Sequence, residues 1–170
     1  METNRQIQTV APTTDIETID ANVASKKLAS MMAFIKQNLK KGTDYMSIAG
    51  GKPTLLKSGA EKMNILMGFG AEYEKTKEIM NKDDQTYYVE IKCTLRHLKS
   101  GVAIAQAIGS CNNKEKARQH LAFYDSLNPV LKIAEKRAYV AATLNANALS
   151  QFYSQDLDDE VTQNRINAAK

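Results

Sequence analysis

Thr86-Tyr87-Tyr88-Val89-Glu90-Ile91-Lys92-Cys93-Thr94-Leu95-Arg96-His97-Leu98 is a dense run of β-branched and aromatic residues, and its reading decides the fold. Counted in twos, Tyr87, Val89, Ile91, Cys93 and Leu95 share one side and Tyr88, Glu90, Lys92, Thr94 and Arg96 the other. The first side is apolar and the second polar, so the spacing predicts a strand with one face in the core and one in water. Lys99-Ser100-Gly101 closes a hairpin, and residues 102–108 return as a second strand in which Val102, Ile104 and Ile108 alternate with smaller residues. Gly109 and Ser110 are expected to end it. Upstream, residues 81–85 are rich in turn formers and residues 71–80 alternate in part, which supplies a third strand.

Downstream, Asn128-Pro129 is expected to start a long helix, because proline suits a first helical position. Its expected buried face runs through Val130, Ala134, Ala138, Ala141 and Ala148, small residues that permit close approach to a sheet. Lys132, Lys136, Thr143 and Asn147, spaced by four, seven and four, form a polar stripe on another face. Residues 111–128 carry no clean pattern, although residues 114–124 could form a short helix. The expected fold is therefore α+β, a β-β-β-α core with an antiparallel twisted sheet packed on a long helix.

The N-terminal third adds helical signals. Ile16, Ile19, Val23, Leu28, Met31, Met32, Ile35 and Leu39 recur as on an amphipathic helix, which Lys40-Lys41-Gly42 is expected to end. Tyr45, Met46 and Ile48 read as a short strand before Gly50-Gly51 and Pro53. Ser58 and Glu61 have capping-box spacing for a second helix ended by Gly68 and Gly70. The expected organisation is an arm over residues 1–14, one domain over 15–153 and an acidic tail over 154–170.

The chain has 170 residues, 43% hydrophobic and 25% charged, as expected of one globular domain. It has no run of eighteen apolar residues, and its polar start lacks the basic and apolar regions of a signal peptide, so a cytoplasmic protein without a membrane segment is expected. Cys93 and Cys111 are too few for a disulfide scaffold and are expected to be free thiols. The net charge of +4 conceals a body, residues 25–150, with 20 basic and 11 acidic residues, +9, between acidic ends. Such a body favours polyanions.

Catalytic chemistry finds little support. Gly50-Gly51-Lys52 resembles a phosphate loop only superficially, since Met46 replaces the first glycine and Pro53 the magnesium-binding hydroxyl. Cys93, His97, Cys111 and His120 have spacings of four, fourteen and nine, which match no common zinc module. Asp156, Asp158, Asp159 and Glu160 read as an acidic tail, with a metal-dependent nuclease as the alternative. No catalytic residue, metal or cofactor is assigned. Binding remains: Lys92, Arg96 and Lys99 on the hairpin, with Lys114, Lys116, Arg118, Lys132, Lys136 and Arg137 beyond it, can neutralise phosphates while tyrosines stack on bases.

Four stretches carry a resemblance to a known family. They are residues 40–45 (Lys-Lys-Gly-Thr-Asp-Tyr) with 52–62 (Lys-Pro-Thr-Leu-Leu-Lys-Ser-Gly-Ala-Glu-Lys); Met67-Gly68-Phe69; the turn Leu98-Lys99-Ser100-Gly101 running to Gly109; and Lys114-Glu115-Lys116-Ala117-Arg118 followed by Ala134-Glu135-Lys136-Arg137-Ala138. Over about residues 30–160 the chain resembles the single-strand annealing proteins of the Rad fifty-two type, and more closely the phage and mobile-element members related to Erf and Sak. The resemblance implies a β-β-β-α core, homo-oligomeric rings or filaments, and pairing of complementary single-stranded DNA without ATP, in homologous recombination in the cytoplasm of a bacterial host. It implies that a basic groove between hairpin and long helix holds the backbone, that Lys136 and Arg137 match the family's Lys-Arg pair, and that a phage or host replication or single-strand-binding protein is a further partner. The chain departs from the pattern at Val140 and Ala141, where a further Arg is frequent, and around Asn147-Ala148-Leu149, where glycines are replaced. The alternative is a metal-dependent nuclease or nucleic-acid-modifying enzyme, or a non-enzymatic protein-interaction module.

Overall fold

The computed structural model describes residues 20–47 and 52–154. The chain divides into two units, Met1–Asn38 and Leu39–Lys170, a boundary inside the stretch read from sequence as one domain. In the first unit, helix α1 spans Ala21–Asn38. Its N-cap is Asp20, whose Oδ1 accepts the backbone N–H groups of Asn22 and Val23 at 2.8 and 3.2 Å. The helix ends before Lys40, short of the Lys-Lys-Gly stop read from sequence. Of the apolar positions read for this helix, Val23 and Leu28 are exposed, Met31 and Ile35 are buried, and Ile16 and Ile19 lie outside the described residues, as does the 1–14 arm.

The second unit is α+β. Strands β1 (Tyr45–Met46) and β2 (Thr54–Leu55) pair antiparallel, and helix α2 (Lys57–Met67) follows. Then come β3 (Phe69–Asn81), β4 (Thr86–His97), β5 (Ala103–Asn112), helix α3 (Phe123–Ala146) and a 3-10 turn at Leu149–Gln151. The sheet is an antiparallel meander in the order β3-β4-β5. The β-β-β-α core expected from sequence is what the chain forms, and α3 lies over β4 and β5.

Strand β4 is central because its two-residue period is the cleanest. Val89, Ile91, Cys93 and Leu95 are at most 2% exposed, and Tyr87 is buried beside them. On β5 the neighbours of that face are Ala105, Ala107, Gly109 and Cys111. The small set therefore meets α3, while Ile104 and Ile108 point to solvent. Gly109 does not end the strand, which continues to Asn112. A Cβ at Gly109 would stand 2.3 Å from the Ala138 nitrogen and 2.5 Å from the Ala134 oxygen, so backbone meets backbone there. Val130, Ala134, Ala138 and Ala141 form the buried face as read, but Ala148 lies beyond the helix, exposed and at φ +51°.

Other local expectations are corrected. Helix α3 starts at Phe123, leaving Pro129 inside it, because Phe123 and Ser126 are buried and the Ser126 hydroxyl donates to the Phe123 carbonyl at 2.6 Å. Burial of the first turn outweighs the preference of proline for a first position. Residues 113–121 are turns, so the short helix read over 114–124 does not form and only its last two positions are helical, as the start of α3. Ser58 does not cap α2: the N-cap is Leu56, and the Ser58 hydroxyl donates instead to the Thr43 carbonyl. Gly68 does close α2, at φ +68°, with its N–H on the Asn64 and Ile65 carbonyls.

Strand β3 is an edge strand, exposed from Ala71 onward, with a register irregularity between Lys75 and Lys77. Charges and a bulge on a long edge oppose unplanned strand pairing. Beyond α3 the chain returns to β2, where Ser154 donates its N–H to Pro53 and accepts that of Leu55 at 2.9 and 3.0 Å.

Candidate nucleic-acid interface

The connector between β5 and α3 is tied to both elements by hydrogen bonds and ion pairs. Asn113 anchors it, exchanging main-chain and side-chain hydrogen bonds with Tyr87 and donating from Nδ2 to the Gln85 carbonyl at 2.8 Å. Glu115 then acts as a hub. Its Oε1 accepts the Asn112 N–H at 3.1 Å and Arg137 Nη1 at 2.9 Å, while Oε2 accepts Arg137 Nη2 at 2.9 Å and Arg118 Nη1 at 3.0 Å. Arg137 Nη1 also donates to the Ser110 carbonyl at 2.6 Å. Such a two-pronged guanidinium–carboxylate pair is strong and geometrically demanding. Burial alone would raise the Glu115 carboxyl, but Arg137 and the Asn112 N–H more than offset it and hold it below its ordinary 4.5.

This pair fixes where the neighbouring lysines stand. Glu115 is flanked by Lys114 and Lys116, both exposed, and the Lys114 ammonium reaches the Asp84 carbonyl at 3.0 Å. Arg137 follows Lys136 on α3. The Glu115–Arg137 contact therefore sets two lysine-bearing segments, 22 residues apart in sequence, side by side. Arg118 is buried at 3% exposure, so it belongs to this framework rather than to the surface.

On α3 the polar stripe divides. Lys132 is exposed and Lys136 half-buried, whereas Thr143 and Asn147 are buried. Asn64 of α2 donates to Thr143 Oγ1 at 2.9 Å, Thr143 donates to the Tyr139 carbonyl at 2.8 Å, and Asn147 Nδ2 donates to the Thr143 carbonyl at 2.9 Å. Thr143 thus binds α2, Asn147 is held by Thr143 of its own helix, and neither is a surface group. The accessible stripe runs the other way: Tyr124, Asn128, Lys132 and Lys136 follow at steps of four on one helix face. Tyr124 is 69% exposed. The sequence reading missed it because the helix was expected to start after it, although the four-residue step was there to find.

The hairpin cations lie elsewhere. Lys92 and Arg96 are on the sheet face opposite α3, so the sheet separates them from Lys132 and Lys136. Lys92 pairs with Glu74, and Arg96 Nε donates to Glu72 at 2.7 Å and its Nη1 to the Gly101 carbonyl at 3.0 Å. Lys99 is exposed in the β4–β5 turn. A single groove holding all nine cations is not what the fold forms.

The first resembling stretch is a structural lock. Asp44 is fully buried, and its Oδ2 accepts Lys62 Nζ at 2.6 Å and the Lys40 N–H at 2.8 Å. Its carbonyl accepts the Leu56 N–H at 2.9 Å, and Gly59 lies so close that a Cβ would stand 2.3 Å from that oxygen. Burial would raise the Asp44 carboxyl, but Lys62 and the Lys40 N–H more than offset it and hold it below 3.8.

Both cysteines are free and buried, their thiols pushed up by burial to about 11 for Cys93 and about 12 for Cys111. Among the described residues no three His, Cys, Asp or Glu side chains are grouped to hold a metal ion, and the Asp156–Glu160 acids lie outside those residues. No helix among the described residues is long and apolar enough to cross a membrane. No known protein family and no curated protein matches the chain.

Proposed function

We propose that this chain is a single-stranded DNA-binding and strand-annealing protein of the Rad fifty-two type, working without ATP as a homo-oligomer in the cytoplasm of a bacterial host. The observation that carries the reading is the juxtaposition of the Lys114–Lys116 connector with the Tyr124, Asn128, Lys132, Lys136 stripe of α3 through Glu115 and Arg137. Lysines at fixed positions neutralise a backbone without reading sequence, and an exposed Tyr124 can stack on a base. Neutralising two strands lowers their mutual repulsion, so pairing needs no hydrolysis. The β-β-β-α fold is the one the resemblance implies, and the β5 edge of the sheet offers a surface for assembly.

The test is annealing of two complementary labelled oligonucleotides by purified protein, without ATP or magnesium. Wild type is expected to accelerate pairing over a protein-free control, and a variant with Lys114, Lys116, Lys132 and Lys136 all changed to Ala is expected to lose this. Binding without acceleration would reduce the reading to a single-strand binder. Absence of binding at low salt would end it.

A further inference from the structure

Arg137 is the residue the resemblance selects first for phosphate contact, yet its guanidinium is committed within the protein. Both Nη atoms meet the Glu115 carboxylate and Nη1 also meets the Ser110 carbonyl, with the side chain one-third exposed at 32%. Its Cβ stands over the close helix–sheet contact at Gly109, 2.8 Å from where a Cβ at that glycine would be. Glu115 in turn holds the Asn112 N–H and Arg118, so one carboxylate joins the end of β5, the connector and α3.

We infer that Arg137 is a positioning residue: its fork on Glu115 holds the 113–121 connector against α3, and Lys114 and Lys116, on either side of Glu115, are the groups that meet phosphate. This inference rests on the single-strand-binding reading for its ligand, but the clamp itself does not. Electrostatics and positioning predict opposite signs at Glu115. If Arg137 met phosphate directly, neutralising Glu115 would free a guanidinium, remove a negative charge and tighten binding. If Glu115 is half of a clamp, neutralising it releases the connector and weakens binding. Arg137→Lys separates the two views again, since lysine keeps the charge and loses the planar fork.

The experiment compares wild type, Glu115→Gln, Arg137→Lys and the Lys114→Ala/Lys116→Ala pair, each as the full chain. The first readout is the affinity for a labelled oligothymidylate and its salt dependence. The second is tryptic cleavage after Lys114 and Lys116 in the absence of nucleic acid. Glu115→Gln and Arg137→Lys are both expected to weaken binding by about tenfold and to lower the salt slope as the lysine pair does, by roughly 1.4 for two contacts on single strands. Lost stability alone would not move that slope in the folded protein. Both are also expected to speed cleavage in the connector. Tighter binding by Glu115→Gln together with wild-type binding by Arg137→Lys would overturn the inference, as would a connector equally resistant to trypsin in all three chains. Were wild type itself not to bind the oligothymidylate, the function proposed above would fall while the tryptic arm still decided the clamp. Far-UV circular dichroism verifies folding, and Glu115→Asp, with its shorter reach, replaces either variant that fails that check.

Discussion

Replacing Gly109 by Ala tests the packing that places α3 on the sheet. The added Cβ would stand 2.3 Å from the Ala138 nitrogen and 2.5 Å from the Ala134 oxygen, whereas ordinary contact begins at 3.4 Å, so helix and strand must part by about 1.1 Å. Neither contact atom can swing aside, because both are main chain inside α3. Parting the layers also loosens Val130, Ala134 and Ala138, each at 0% exposure, so the cost belongs at the upper end of overpacking, about 3 kcal/mol. In a unit of this size that corresponds to a Tm about 10 °C lower. Urea and thermal unfolding followed by circular dichroism measure it, with Gly101→Ala as the control. Gly101 has φ +70° and nothing within 4 Å of a Cβ, so that change carries only a left-handed backbone cost of about 1 kcal/mol. Equal losses in the two variants would refute the argument from close approach.

Asp44→Asn keeps the shape of the buried carboxylate but removes its charge opposite Lys62, and is expected to cost about 2 kcal/mol in urea unfolding. Asp44 and Glu115 are both more acidic in the folded chain than their ordinary values of 3.8 and 4.5, so the folded state favours their ionised forms. Their stabilisation is complete above pH 4.5 and is lost as pH falls through the folded values, a decline visible as a falling urea midpoint. Cys93, raised from 9.0 to about 11, has about a hundredfold less thiolate at pH 8 than an ordinary cysteine, and a thiol-reactive dye is expected to label it only after unfolding. Changing Lys114, Lys116, Lys132 and Lys136 together to Ala is expected to lower the salt slope of single-strand binding by roughly three, at about 0.7 per contact, with little dependence on sequence.

The meander was legible because β4 alternates without interruption and both its turns carry turn residues. The long helix was legible in its small buried face. Where it begins was not, since proline is a local signal and the burial of Phe123 is a tertiary one. Ser58 and Glu61 had the spacing of a cap, yet the Ser58 hydroxyl meets Thr43, a contact that sequence spacing does not carry. The cations were identified by type, but their grouping depends on which sheet face α3 covers and on the Glu115–Arg137 pair. A charge count over residues 25–150 could not distinguish Lys132, in solvent, from Arg118, buried, or from Arg96, bound to Glu72. Thr143 and Asn147 share the helical face of Lys132, yet they are buried and Lys132 is not, a difference to which the packing of Asn64 of α2 on Thr143 contributes.

The pairing of β2 with Ser154 governs the order in which this chain can gain and lose structure. The two sheet turns close loops of a few residues, but the Thr54–Ser154 contact spans 100 positions, and that difference adds roughly 3 kcal/mol of loop-closure entropy. It encloses the meander and α3, so it forms after they have assembled and acts as a clasp on a finished body. Being only two residues of strand, it can open without disturbing the meander. Exchange at the Leu55 amide therefore reports this local opening, while the amides of Val89 and Ile91 wait for the whole unit to unfold.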